Sequence, residues 1–300
     1  MLTGIHILMT YKCNLECDHC FIYSSPNAQG TMTLSQIRAV LVESRKISSV
    51  EWIYFEGGEP FLFYPSLLEG IRLARAIGFK VGIVTNAYGA ISAEDAEAWL
   101  QPLADLGVAY LSISDDAFHY GSKDASPARC ALDAAQKLGL HCGSISIEQP
   151  SLEEGAGDGQ SRGKPVIAGG AVLRGRAVDK LVAGLPRRPW QDFTECPHED
   201  LADPARVHLD SYGNVHLCQG LSTGNMWQVR LSQMFRDYAS ERHPICGPLL
   251  RGGPARLVAE YDLKHEDEYV DACHLCYLAR RTLLDRFPQY LAPRQVYGLE

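Results

Sequence analysis

Apolar positions follow two alternating rhythms along the first 150 residues. Ile5–Thr10, Glu51–Phe55, Lys80–Thr85, Tyr110–Ser114 and His141–Ile147 are short apolar runs, the pattern of buried strands. Between them the spacing changes to that of helices. Within residues 33–47, Leu34, Ile37, Val40, Leu41 and Ser44 fall on one helical face. Pro65 opens a second helix at its first turn and Gly78 stops it. Ser92 with Asp95 makes a capping-box-like start for a helix through Leu100. Ala128–Leu138 is a further helix, ended by Gly139. Five such alternations predict an α/β domain of parallel strands joined by right-handed crossovers. A last short unit is expected beyond a glycine-rich loop at 153–164, with strand Val166–Leu173 and helix Gly175–Leu181. Gly184–Trp190 carries two prolines and reads as a domain boundary. After it the alternation stops. Val207–Asp210 and Val215–Cys218, joined by Ser-Tyr-Gly-Asn, read as a hairpin.

Composition narrows the function classes. The chain has 300 residues, long enough for one barrel-type domain or a large and a small domain. A formal charge of −8 argues against a phosphate-backbone footprint, so no nucleic-acid partner is expected. No run approaches the roughly 20 apolar residues of a membrane span. The first residues, MLTGIHILMTYKC, lack the basic start of a signal peptide. A cytoplasmic protein is therefore expected, with no membrane partner. In a reducing compartment, ten clustered cysteines more often bind metal or do chemistry than form disulfides.

Those cysteines fall into two groups. Cys13, Cys17 and Cys20 form a CxxxCxxC run directly after the first strand, for which a chance match is of order 0.01. Three thiolates on one loop can hold a cubane iron–sulfur cluster while leaving one iron open. A zinc site borrowing a histidine such as His19 is the alternative. Together with Glu56-Gly57-Gly58-Glu59-Pro60 after the second strand, this run resembles the radical S-adenosylmethionine (radical SAM) superfamily. Thr85-Asn86-Ala87 and Ser112-Ile113-Ser114-Asp115-Asp116 fall at places similar to that family's later motifs.

The resemblance covers about residues 5–185 and implies a partial (β/α)6, TIM-like barrel. It also implies a 4Fe–4S cluster on Cys13, Cys17 and Cys20, with S-adenosylmethionine on the open iron. Gly57, Gly58, Glu59 and Pro60 would meet the methionine end. His19 would lie near the adenine, Asn86 beside the third strand's end, and Ser114 and Asp116 at the ribose. A solvated loop histidine and helix caps are the respective alternatives. A flavodoxin- or ferredoxin-type reductant would supply the electron.

The second group follows residue 190. Cys196, then Cys218 in a Gly-x4-Cys, then Cys273 and Cys276 in a CxxC, resemble the C-terminal auxiliary-cluster domain called SPASM, or its shortened form Twitch. Only five cysteines follow residue 190, which suits the shortened form. The resemblance implies a second 4Fe–4S cluster on these four, in a small α+β domain spanning 186–300 behind a core spanning 1–185. Structural zinc held by the same four thiolates is the alternative. Cys246 is free or replaces one of the four. Cys130 and Cys142 read as buried small side chains, although Cys142 could face the barrel interior.

A hydrogen-abstracting radical needs a substrate held at the C-terminal strand ends. Glu56, Asp115, His119, Glu148, Arg174 and Arg176 are the candidates for that lining. Asp115, His119 and Glu148 are the expected acid–base groups. Arg174 and Arg176 suit a carboxylate or phosphate, on cofactor or substrate. Only twelve residues precede Cys13, so no N-terminal peptide-recognition or cobalamin domain is expected. The substrate is then a small molecule, or a peptide delivered by another protein. Two reactions stay open: oxidation through the second cluster, and a redox-neutral epimerase, lyase or cyclase. A non-enzymatic iron–sulfur or zinc protein is the third reading.

Overall fold

The computed structural model describes residues 1–121, 126–154 and 165–299. Its first half is strands β1 (Gly4–Thr10), β2 (Trp52–Gly57), β3 (Lys80–Thr85), β4 (Tyr110–Ser114) and β5 (Cys142–Ile145). Helices α1 (Leu34–Arg45), α2 (Tyr64–Ile77), α3 (Ala93–Asp105), α4 (Ala117–Tyr120) and α5 (Pro127–Lys137) alternate with them. All five strands pair in parallel, in the order β1-β2-β3-β4-β5. The sequence signals act as expected at the ends. Gly78 takes φ 101° at the end of α2, and Ser92 accepts from the Asp95 N–H at the start of α3. Ile37, Val40, Leu41 and Ser44 are the buried face of α1. The fold is α/β, a partial barrel.

The expected strand over 166–173 is not built that way. β6 (Ser151–Glu154) and β7 (Pro165–Ala168) form a separate antiparallel pair, followed by α6 (Arg176–Lys180). Gly169 and Gly170 both hold positive φ and end β7 early. Residues 169–175 become an irregular segment across the barrel end. The expected glycine-rich loop falls on β6 at 153–154 and otherwise outside the described residues.

After β8 (Arg188–Pro189), strand β9 (Arg206–Leu209) adds in parallel to the free edge of β1. β10 (Asn214–Cys218) and β11 (Leu221–Asn225) continue the same sheet as antiparallel neighbours. The eight-stranded order is β11-β10-β9-β1-β2-β3-β4-β5. A buried contact fixes this junction: the Tyr11 hydroxyl donates to Asp210 Oδ2 at 2.9 Å. Helices α7 (Leu231–Asp237) and α8 (Cys246–Tyr261, broken at Gly252-Gly253), then β12 (Glu268–Tyr269, paired with β8) and α9 (Ala272–Thr282) complete the chain. A hydrophobic core continuous from Leu2 to Tyr297 underlies both parts.

Candidate functional site

A cavity of about 560 Å³ opens at the C-terminal ends of the strands, where period-2 alternation sends every second side chain inward. Cys13, Cys17 and Cys20 lie on its wall, on the loop leaving β1. That loop is held by neighbours of low side-chain bulk. A Cβ on Gly57 would stand 2.3 Å from Thr10 O, and one on Gly58 2.2 Å from Lys12 O. The glycines therefore let β2's exit lie against the backbone that carries the cysteines. Gly57 also holds φ 144°, which other residues rarely adopt.

The thiols suit a metal. Leu15 N–H donates to Cys13 Sγ at 3.4 Å, and Ser24 N–H donates to Cys20 Sγ at 3.3 Å. Burial pushes both the Cys13 and Cys17 thiols up to about 12, so without a positive partner they hold their protons at neutral pH. A bound metal reverses that, since coordination deprotonates a thiol.

The remaining residues of the expected cofactor site divide in two. His19, Asn86, Ser114, His119, Gly57, Gly58 and Arg174 line the cavity with the cysteines. The His19 Nδ1 is buried without a partner, and burial pushes this imidazole down to about 4, so it is neutral and open to a ligand. Asn86 donates to Asn14 Oδ1 at 2.9 Å and ties β3's end to the cysteine loop.

Glu59 and Pro60 are buried in the wall and do not line the cavity. The Glu59 carboxylate accepts from the Thr85 hydroxyl (2.7 Å), Asn86 N–H (2.7 Å) and Phe61 N–H (2.9 Å), latching β2's exit to β3's. Asp116 faces the cavity, but it caps α4. It accepts from the N–H groups of Phe118, His119 and Ile147, and its Oδ1 lies 2.7 Å from His119 Nδ1. With its oxygens so engaged, its role there is to orient His119.

Two expected acid–base groups are corrected. Asp115 alternates outward, pairing with Arg129 (3.3 Å) and Ser126 (3.3 Å) at the start of α5. Glu148 lies past the end of β5 and is exposed. Neither lines the cavity. Cys142 likewise points away, its Sγ 4.0 Å from Leu132 O on α5.

The cavity floor carries a group that sequence reasoning only half found. Glu56 was expected there; His6 and His208 were not. His6 Nδ1 is 2.9 Å from Glu56 Oε2, and His208 Nδ1 is 2.6 Å from Glu56 Oε1. The two imidazoles hold the Glu56 carboxyl well below its usual range, against the opposing effect of burial. An ionised carboxylate only accepts, so both Nδ1 atoms carry a proton, and in a neutral imidazole Nε2 is then the acceptor. His6 could have been placed by period-2 alternation with Leu8. His208 had no signal, since nothing in the pattern says that β9 joins β1.

The second cysteine group lies next to this cavity. Cys218 ends β10, and Cys273 and Cys276 lie one turn apart on α9, so both project to one side. Cys218 and Cys276 each raise the Cys246 thiol, while Cys196 acts on Cys276, so five cysteines share one neighbourhood. Arg174 Nη1 lies 3.0 Å from Cys218 Sγ. Arg280, fully buried, lies near Cys276 and donates to Gln219 O at 3.1 Å. Arg174 Nε, Arg280 Nε and Gln219 Oε1 are buried without partners. Unpaired cationic donors beside thiols fit a group that is anionic and offers further acceptors, as the sulfides of an iron–sulfur cluster do.

A model of the radical SAM superfamily matches residues 7–142, which hold the cysteine loop and the Gly57-Gly58 turn. The chain carries a radical SAM domain. That match implies a 4Fe–4S cluster and S-adenosylmethionine, which the three cysteines and the cavity they line suit. Curated relatives match part of the chain as well. The "Putative peptide biosynthesis protein YydG" of Bacillus subtilis (strain 168) is 28% identical over 133 residues, 44% of this chain and 42% of that protein. The tungsten-containing aldehyde ferredoxin oxidoreductase cofactor-modifying protein of Pyrococcus furiosus is 31% identical over 113 residues, 37% of this chain and 30% of that one. The chain thus spans less than half the length of these relatives. Among solved structures, BtrN in complex with AdoMet and 2-DOIA aligns over 79% of this chain and 83% of its own, with a TM-score of 0.52 and 15% identity, a likeness of fold. No helix among the described residues is long and apolar enough to cross a membrane.

Proposed function

We propose that this radical SAM protein is an oxidoreductase that removes two hydrogens from a small-molecule or peptide substrate, using a second 4Fe–4S cluster on Cys196, Cys218, Cys273 and Cys276 in a Twitch/SPASM-like segment over 186–300. The observation that carries this reading is that one cavity has Cys13, Cys17 and Cys20 on one wall and Arg174 and Gln219, which flank Cys218, on another. When bound, the first cluster and S-adenosylmethionine supply a 5′-deoxyadenosyl radical that takes hydrogen from the substrate. His19 and Ser114 offer polar contacts to the nucleoside, and the Gly57-Gly58 turn leaves room for its methionine end. The substrate lies below, towards Glu56. His6 Nε2 or His208 Nε2 takes the proton that an oxidised hydroxyl or amine carbon must lose, with Glu56 stabilising the imidazolium. A ferredoxin- or flavodoxin-type protein in the cytoplasm supplies the electron for the first cluster.

Anaerobic turnover followed by mass spectrometry tests this. A product two hydrogens lighter, with 5′-deoxyadenosine in equal amount, is expected; an isomer of the substrate overturns oxidation. A redox-neutral change to a peptide is the second reading. Its peptide substrate is in keeping with the names of YydG and of the antilisterial bacteriocin subtilosin biosynthesis protein AlbA, 32% identical over 80 residues, which say nothing of the redox outcome.

A further inference from the structure

Three consecutive residues join the two cysteine groups. Arg176 holds the first: its backbone N–H donates to Cys20 O (2.9 Å), Nη1 to Cys17 O (2.8 Å) and Nη2 to Ser24 O (2.7 Å). Its guanidinium lies 5.1 Å from the Tyr23 ring centroid. Gly175, at φ 63°, is pressed against the same loop, where a Cβ would stand 2.5 Å from Phe21 Cα and 2.6 Å from Cys20 O. Arg174 turns the other way, to Cys218 Sγ at 3.0 Å and Glu199 Oε1 at 3.3 Å, with its guanidinium 5.4 Å from the Phe21 ring centroid. Both arginines are buried.

We propose that Arg174-Gly175-Arg176 is a strap that fixes the two cysteine groups relative to each other, and that Arg174 is the positioning residue that makes the second the better electron acceptor. This rests on the reading of Cys196, Cys218, Cys273 and Cys276 as iron–sulfur ligands. Reduction adds one negative charge to the cluster. A buried guanidinium donating to a ligand sulfur stabilises the more negative form and raises the reduction potential. Arg176 does this less directly at the first group: its charge reaches Cys17, but its donors end on carbonyl oxygens and not on sulfur. The strap therefore gives the two sites different hydrogen bonding from positions two apart in sequence: donation to backbone carbonyls on one side, donation to a ligand sulfur on the other. Because Arg176 anchors its far end, the Arg174 guanidinium is held at Cys218 and not left to find its own position. An electron leaving substrate in the shared cavity is thereby biased towards Cys218.

The test is a potentiometric titration of the full-length protein with both clusters in place, followed by electron paramagnetic resonance. Arg174→Gln is expected to disfavour reduction of the second cluster about tenfold, a fall of about 59 mV for one electron. The first cluster's potential stays unchanged. Arg174→Lys, which keeps the charge but not the fork, is expected to recover part of the fall. The unchanged first-cluster signal serves as the control that the variant is folded. Equal second-cluster potentials in the wild type and Arg174→Gln overturn the role given to Arg174. A wild type with about four irons and no second cluster signal overturns the ligand reading beneath it instead.

Discussion

Gly58 and Lys12 are in backbone contact across two strand exits: a Cβ on Gly58 would stand 2.2 Å from Lys12 O, and the next residue, Glu59, donates its N–H to that same oxygen at 2.9 Å. The oxygen belongs to the residue just before Cys13, so β2 positions the first ligand through backbone alone. Gly58 has no positive φ, and what it supplies is space.

Gly58→Ala should therefore act by overpacking. Backbone has no rotamer with which to yield, so a cost of about 3 kcal/mol is expected, at the upper end for such insertions. Urea unfolding measures it, and iron content after reconstitution reports the displaced loop. An alanine variant with the wild-type midpoint and full iron would contradict the contact.

Glu59 and Glu56, three residues apart, should respond to pH with opposite sign. Burial pushes the Glu59 carboxyl up to about 7. Folding therefore favours its protonated form, and its contribution to stability is present below the unfolded value near 4.3 and lost as pH rises through about 7. Glu56 is shifted down by His6 and His208, so its contribution is present above about 4.3 and lost as pH falls towards its lower folded value.

Comparing wild type with each glutamine variant isolates these effects. The stability gap to Glu59→Gln should be larger at pH 5 than at pH 8. The gap to Glu56→Gln should be about 1–3 kcal/mol at pH 7, because an amide cannot accept from two imidazole N–H groups, and should shrink towards pH 3. Urea midpoints across this range check both, and slopes of the same sign would refute the assignment.

These sites were unequally legible. The cysteine loop and the Gly57-Gly58 turn are local sequence features, set by neighbours a few residues apart, and so are the five strands and their caps. Asp115 and Glu148 misled because a carboxylate near a strand end has even odds of pointing either way, and only register decides. Asp115 alternates outward to Arg129. Arg174 read as an anion binder; that it meets Cys218 depends on β9 adding to β1, a pairing between residues about 200 apart. The same pairing brings His208 to Glu56. Long-range edge addition leaves no periodic trace in a single chain.

Cys246 is the remaining ambiguity among the last five cysteines, and its surroundings separate it from the others. It is fully buried at the start of α8, within the hydrophobic core. Its thiol lies near the Tyr238 hydroxyl, which itself donates to Leu201 O at 2.6 Å, and its backbone N–H donates to His243 Nδ1 at 3.1 Å. Burial pushes this thiol up to about 12. No arginine hydrogen-bonds it among the described residues, whereas Arg174 donates to Cys218 at 3.0 Å. A thiol fully buried in an apolar core is a packing residue, and a cluster needs only four ligands. Cys246→Ala should therefore keep about eight irons per chain and lose about 1–2 kcal/mol of stability through the small cavity it leaves. Cys196→Ala should lose the second cluster and fall towards four irons. The triple change of Cys13, Cys17 and Cys20 to alanine should abolish S-adenosylmethionine cleavage and leave the other four irons in place. Iron analysis of the three variants side by side decides the ligand set: if Cys246→Ala loses iron and Cys196→Ala does not, Cys246 takes the fourth position and Cys196 is the spare.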